Sequence, residues 1–126
     1  MARSSLTAVT AQLSTANTPF MTAVDGVNGN QFVNPGTELR IAHIVNTGAS
    51  GSVTACFLAN SSYAGVIFPT QTAVVPSSLT GLIFGPFDIN AFNQTDGTGD
   101  GNVYIDWSGS AYRTTISILA IPFTAS

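Results

Sequence analysis

Few residues of this 126-residue chain have reactive chemistry: one histidine, His43, one cysteine, Cys56, and six carboxylates, two of them in the glycine-rich stretch Asp96-Gly97-Thr98-Gly99-Asp100-Gly101-Asn102. A histidine near neutrality can shuttle a proton, but base catalysis on Ser or Cys needs a nucleophile within hydrogen-bond reach and a third group to orient the ring. His43 falls among Leu39, Ile41 and Val45 at strand spacing, so the reading is a core or interface histidine and no catalytic residue is assigned. Cys56, in Val53-Thr54-Ala55-Cys56-Phe57-Leu58, reads as a small packed hydrophobe, and a single cysteine rules out an intrachain disulfide.

The acidic glycine-rich stretch has oxygen ligands at alternate positions, as the start of a calcium loop does. Its twelfth position, where a bidentate Glu belongs, is Trp107, and its flanks read as strand, so a hairpin loop is the better reading and no metal or cofactor is expected. Tyr104, Trp107 and Tyr112 suggest a sugar-stacking platform, but alternation puts Trp107 with Val103 and Ile105 and leaves Tyr104 with Asp106 on the other face.

Positioning any such residues falls to short strands. Alternation recurs between turn clusters: Leu39 to Val45, Val53 to Phe57, Tyr63 to Phe68, Gln71 to Val75, Leu79 to Phe84, Asn102 to Trp107 and Tyr112 to Ile121. That spacing predicts an all-β, antiparallel sandwich of jelly-roll-like topology, its last two strands forming a hairpin across Ser108-Gly109-Ser110-Ala111. Phe87 to Gln94 reads as a packed turn turning Phe87 and Phe92 inward. Phe57, Trp107 and Ile118 are the expected core, on facing strands. Residues 37–126 are taken as the sandwich and 1–36 as an N-terminal arm with its lead-in. Ser4 to Thr18 has no strong apolar face; it is either an arm carrying Leu6, Val9 and Leu13 to a neighbouring subunit or capsid, or an ordinary first strand.

Composition narrows function. Charged residues make up 7% of the chain, there is no lysine, and Arg3, Arg40 and Arg113 oppose six carboxylates for a net charge of −3. Phosphate binding needs clustered cations, which argues against nucleic acid as the partner. No apolar run is long enough to cross a bilayer as a helix, and the first residues lack the apolar core of a signal peptide, so neither membrane nor export is expected.

The stretches Asn28-Gly29-Asn30-Gln31-Phe32-Val33-Asn34-Pro35-Gly36 and Val45-Asn46-Thr47-Gly48, with Phe84-Gly85-Pro86-Phe87, Phe92-Asn93-Gln94, Asn102 to Ser108 and Ile116 to Pro122, in that order and spacing, resemble a family of tailed-phage head decoration (cement) or minor capsid proteins. The resemblance implies a non-enzymatic virion protein, made in the host cytoplasm, that binds the major capsid protein on the outer surface of the assembled shell, stabilises it and self-associates, most simply as a trimer. The rival readings are a tail or fibre module binding host glycans and, third, a small hydrolase.

Overall fold

A computed structural model describes residues 3–10, 21–46, 51–59, 70–76, 81–95, 101–109 and 114–122. The described strands are β1 (Ser4–Leu6), β2 (Ala8–Thr10), β3 (Thr22–Ala23), β4 (Asn30–Val33), β5 (Glu38–Asn46), β6 (Val53–Phe57), β7 (Gln71–Val75), β8 (Gly81–Phe84), β9 (Asn102–Gly109) and β10 (Thr114–Pro122), with one helical turn, α1 (Ile89–Phe92). They form two packed sheets. Sheet I runs β1-β4-β9-β6-β7 and sheet II runs β2-β10-β5-β8, with β3 also paired to β10.

Both sheets are mixed, which corrects the antiparallel expectation: β1 joins β4 and β2 joins β10 in parallel, while the other pairs are antiparallel. The segment before residue 37 supplies four strands to these sheets, so residues 4–10 lie on their own domain and do not form a separate arm. The expected final hairpin is an arch: β9 sits in sheet I between β4 and β6, and β10 in sheet II between β2 and β5. Each of these two strands is apolar on its inward face, and placing them in opposite sheets lets Val103 and Ile105 meet Ile116 and Ile118 across the core.

Alternation sets the core. Val53, Ala55 and Phe57 from β6, Val103 and Ile105 from β9, and Phe32 from β4 face Ala42 and Ile44 from β5 and Ile116, Ile118 and Ala120 from β10, all essentially inaccessible. Five phenylalanines close one end. Phe57 of sheet I stacks on Phe84 of sheet II with centroids 4.4 Å apart, and Phe87 touches Phe32, Phe57, Phe84 and Phe92. Phe87 precedes α1 and Phe92 ends it, a packed turn as read from the sequence; Asp88 holds it by accepting from the Ala91 N–H through Oδ1.

Phe57 and Ile118 are buried on facing sheets, as expected. Trp107 is not: it lies in the same sheet as Phe57, opposite Ala55, and is only partly buried at the core margin. The inward face of β5 is also the reverse of the sequence reading. Ala42, Ile44 and Asn46 are buried, while Leu39, Ile41, His43 and Val45 point outward. Residues Tyr63 to Phe68, Leu13, Tyr112 and Asp96 to Asp100 lie outside the described residues.

Candidate interaction surface

The two outer faces of the sandwich differ in chemistry. On sheet I, register places Ser5, Gln31, Tyr104, Asp106, Thr54, Cys56 and Thr72 outward, with Val33 and Val74 as the aliphatic exceptions. On sheet II the outward residues of β5 and β10 meet in pairs: Leu39 with Ile121, Ile41 with Leu119, His43 with Ser117 and Val45 with Thr115. Ile83 of β8 extends this face beside His43, and Val9 of β2 extends it beside Leu119. Ile83 is 66% exposed. None of these sheet II residues is charged. A sheet with both faces apolar is normally buried on both; here the outward residues of β5 and β10 are already partly buried and Ser117 is buried, so the open part of this face lies around Ile83.

His43 and Ser117 are register partners, the only Ser–His pairing the described strands set up. The geometry is not that of an activated nucleophile. The Ser117 hydroxyl is buried and has no hydrogen-bond partner, so His43 does not hold it, and the neighbouring outward residues are aliphatic. Among the described residues no group of three or more His, Cys, Asp or Glu converges as metal ligands would. Cys56 lies half-buried on the outer face of sheet I, not in the core. Tyr104 and Trp107 lie on opposite faces of β9, so those two aromatics do not make one stacking platform.

At one flank of the sandwich β7 and β8, the edge strands of the two sheets among the described residues, border a groove of about 440 Å³ lined by Gln71, Ile83, Phe84, Pro86, Ala91 and Phe92. The other edges are covered by the chain's own N-terminus. Leu6 pairs beside Phe32 and packs on the core, and Val9 pairs beside Leu119, so both contact their own sheets.

A polar clasp fixes this N-terminal segment. Arg3 bridges Asp106 at 2.7 Å, donates to the Ile105 carbonyl at 3.1 Å and lies 4.4 Å over the Tyr104 ring. The Ser4 hydroxyl donates to Asp25 at 2.6 Å. Asp25 also accepts from the backbone N–H groups of Asn28 and Val27. Its carboxyl is held below the ordinary value of 3.8, mainly by the Asn28 N–H and then by the Ser4 hydroxyl. Gly29, at φ +81°, lets the guanidinium pass: a Cβ there would collide with Arg3, the Ile105 carbonyl and Asp106. Sequence reasoning missed the clasp because Arg3 and Asp106 are joined only through the tertiary fold.

No family model, curated protein or solved structure matches the chain.

Proposed function

We propose that this chain is a structural virion protein that binds the assembled capsid shell of a tailed phage from outside, as a decoration or cement protein, and stabilises it. The observation that carries the reading is the asymmetry of the sandwich: an uncharged, aliphatic outer face on β5 and β10 and a polar one on β9 and β6. Such a module lays one face on a partner and presents the other to water. The sequence resemblance to the decoration family points the same way, and the major capsid protein is the partner it implies.

Size argues for multivalency. From strand spacing and rise, the aliphatic face projects to about 400 Å², about half of the ~800 Å² that a stable interface buries on each partner. One such contact is weak, and attachment gains strength when an oligomer engages several shell sites together. A closed cyclic homo-oligomer, most simply a trimer on a local symmetry axis, belongs to the same proposal. So does a jelly-roll-like topology, supported by the crossing between sheets from each described strand to the next from β4 to β10 except β6 to β7.

The test is whether the chain co-purifies with intact virions in fixed copy number on their outer surface, and whether Ile41→Asp with Leu119→Asp lowers occupancy on purified shells while leaving the fold intact. Unchanged occupancy in that variant removes the sheet II face from the mechanism. Binding to a glycan panel in place of shells would favour the tail-fibre reading.

A further inference from the structure

We infer that Asn28 is a site of spontaneous deamidation gated by the N-terminal clasp: the folded turn restrains the reaction, and the carboxylate it leaves at position 28 opposes Asp25 and loosens the strand that restrained it. The inference is independent of the capsid reading.

The reactive pair is set by sequence. Asn28 is the one asparagine of the chain that glycine follows. Deamidation starts when the backbone nitrogen of the next residue, having lost its proton, attacks the asparagine Cγ, and a glycine there has no side chain to obstruct the approach. The new N–Cγ bond closes a succinimide as the Cγ–Nδ2 bond breaks and ammonia leaves. One water then opens the ring at either carbonyl, giving aspartate, or isoaspartate with the main chain routed through the former side chain. Water is the only co-reactant.

The folded turn holds the nucleophile. The Gly29 N–H donates to the Asp25 carbonyl at 2.9 Å, and the Ser4 N–H donates to the Gly29 carbonyl at 3.1 Å. Gly29 is buried, and Arg3 lies so close over it that a Cβ there would collide with the guanidinium. Attack on Cγ requires the Gly29 N–H to leave the Asp25 carbonyl and lose its proton to solvent. The reaction therefore proceeds from the opened turn, and its rate follows the population in which residues 3 and 4 have lifted away.

The electrophile is held much less firmly. The Asn28 amide donates to Asp25 Oδ2 at 3.4 Å, a long contact, and its buried Oδ1 has no hydrogen-bond partner among the described residues. Conversion replaces the amide donor by a second carboxylate oxygen, which faces the Asp25 carboxylate as a like charge. The isoaspartate product also adds a main-chain carbon between the Asn28 N–H, which Asp25 accepts, and the Gly29 carbonyl, which accepts from Ser4. Both products weaken the contacts of Ser4 on Asp25 and of Arg3 beside Gly29 that restrained the reaction.

The test incubates the full-length protein at mildly alkaline pH, where the backbone nitrogen loses its proton more readily, and follows conversion at position 28 by digestion and mass spectrometry. Native wild type, native Arg3→Ala, native Ser4→Ala and guanidinium-unfolded wild type are compared. Conversion should be about tenfold or more slower in native than in unfolded wild type, with the two clasp variants between them, because local opening limits it. Equal rates in native and unfolded wild type, or in native wild type and both variants, overturn the gating. Asn28→Asp supplies the product charge directly and should speed amide exchange at residues 4–6 with β6 and β9 still protected, whereas the neutral Asn28→Ser should stay near wild type. Unchanged exchange at residues 4–6 in Asn28→Asp, or an equal rise in Asn28→Ser, overturns the loosening. Shell occupancy of unconverted protein is measured separately, so failure here leaves the capsid reading standing.

Discussion

The indole Nε1 of Trp107 donates to the Oδ1 of Asn30 at 2.8 Å, across 77 residues of sequence. The same oxygen accepts from the Asp25 backbone N–H at 3.0 Å, and the Asn30 amide donates to the Ser4 carbonyl at 3.3 Å. Asn30 is 1% exposed. One buried amide thus joins the core margin, the turn that leads into β4 and the N-terminal strand, and the amide itself has no water to fall back on. Asn30→Ala should destabilise the domain by about 1–3 kcal/mol, the cost of leaving buried polar groups unpaired. Trp107→Phe, which removes one donor and keeps most of the ring, should cost about 1 kcal/mol. Denaturant unfolding of the two variants checks the order, and equal losses would mean that Asn30 acts only through Trp107.

Phe57 bridges the sheets through Phe84 and Phe87, so Phe57→Ala should cost about 3–5 kcal/mol, as large-to-small core changes do. Trp107→Ala belongs below that range because the indole is only partly buried. Urea midpoints rank the pair, and a larger loss at Trp107 would contradict the burial described above.

Arg3 passes over Gly29 with no room for a methyl group. Gly29→Ala should therefore detach the N-terminal strand by two routes, the collision and the left-handed φ. Arg3→Ala removes the same clasp without backbone strain. Both variants should show faster amide exchange at residues 4–6, with β6 and β9 still protected, and Gly29→Ala should be the less stable of the two. Unchanged exchange at residues 4–6 in both would show that the clasp does not hold the strand.

Asp25 supplies a pH dependence. Its folded pKa is lowered by the Asn28 N–H and the Ser4 hydroxyl, so the contribution is fully present above the ordinary value of 3.8 and is lost as pH falls through the lower folded value. N-terminal attachment should hold from neutrality to about pH 4 and loosen below it. Ser4→Ala removes one of the two main causes and should move the Asp25 titration, followed by NMR of the carboxyl carbon, upward toward 3.8. A titration at or above 3.8 in the unmodified protein would contradict the hydrogen bonds described.

The outer face of sheet II predicts a contrast within one strand. Ile44 is fully buried and Ile41 points outward, so Ile44→Asp should abolish folding and Ile41→Asp should leave the melting temperature within a few degrees. Unfolding by Ile41→Asp would show that the face is covered within the chain itself.

Local pattern was enough to establish an all-β domain and much of its core. Val53, Ala55 and Phe57 alternate with polar residues, Val103 and Ile105 do the same, and a period of two admits one inward face for each. The turn carrying Phe87 and Phe92 inward was legible for a similar reason, since Gly85-Pro86 stops the preceding strand. In β5 the pattern is silent: Leu39, Ile41 and Val45 are as apolar as Ala42 and Ile44, and a shift of one residue exchanges the faces. What decided it was the partner strand, because β10 brings Ile116, Ile118 and Ala120 inward and so fixes Ile44 and Ala42 opposite them. The N-terminus was undecidable in the same way. Ser4 to Thr10 carries too little apolar surface to specify a place, and only the assembled fold, by leaving β4 and β10 with open edges and Asp106 within reach of Arg3, turned it into two parallel strands.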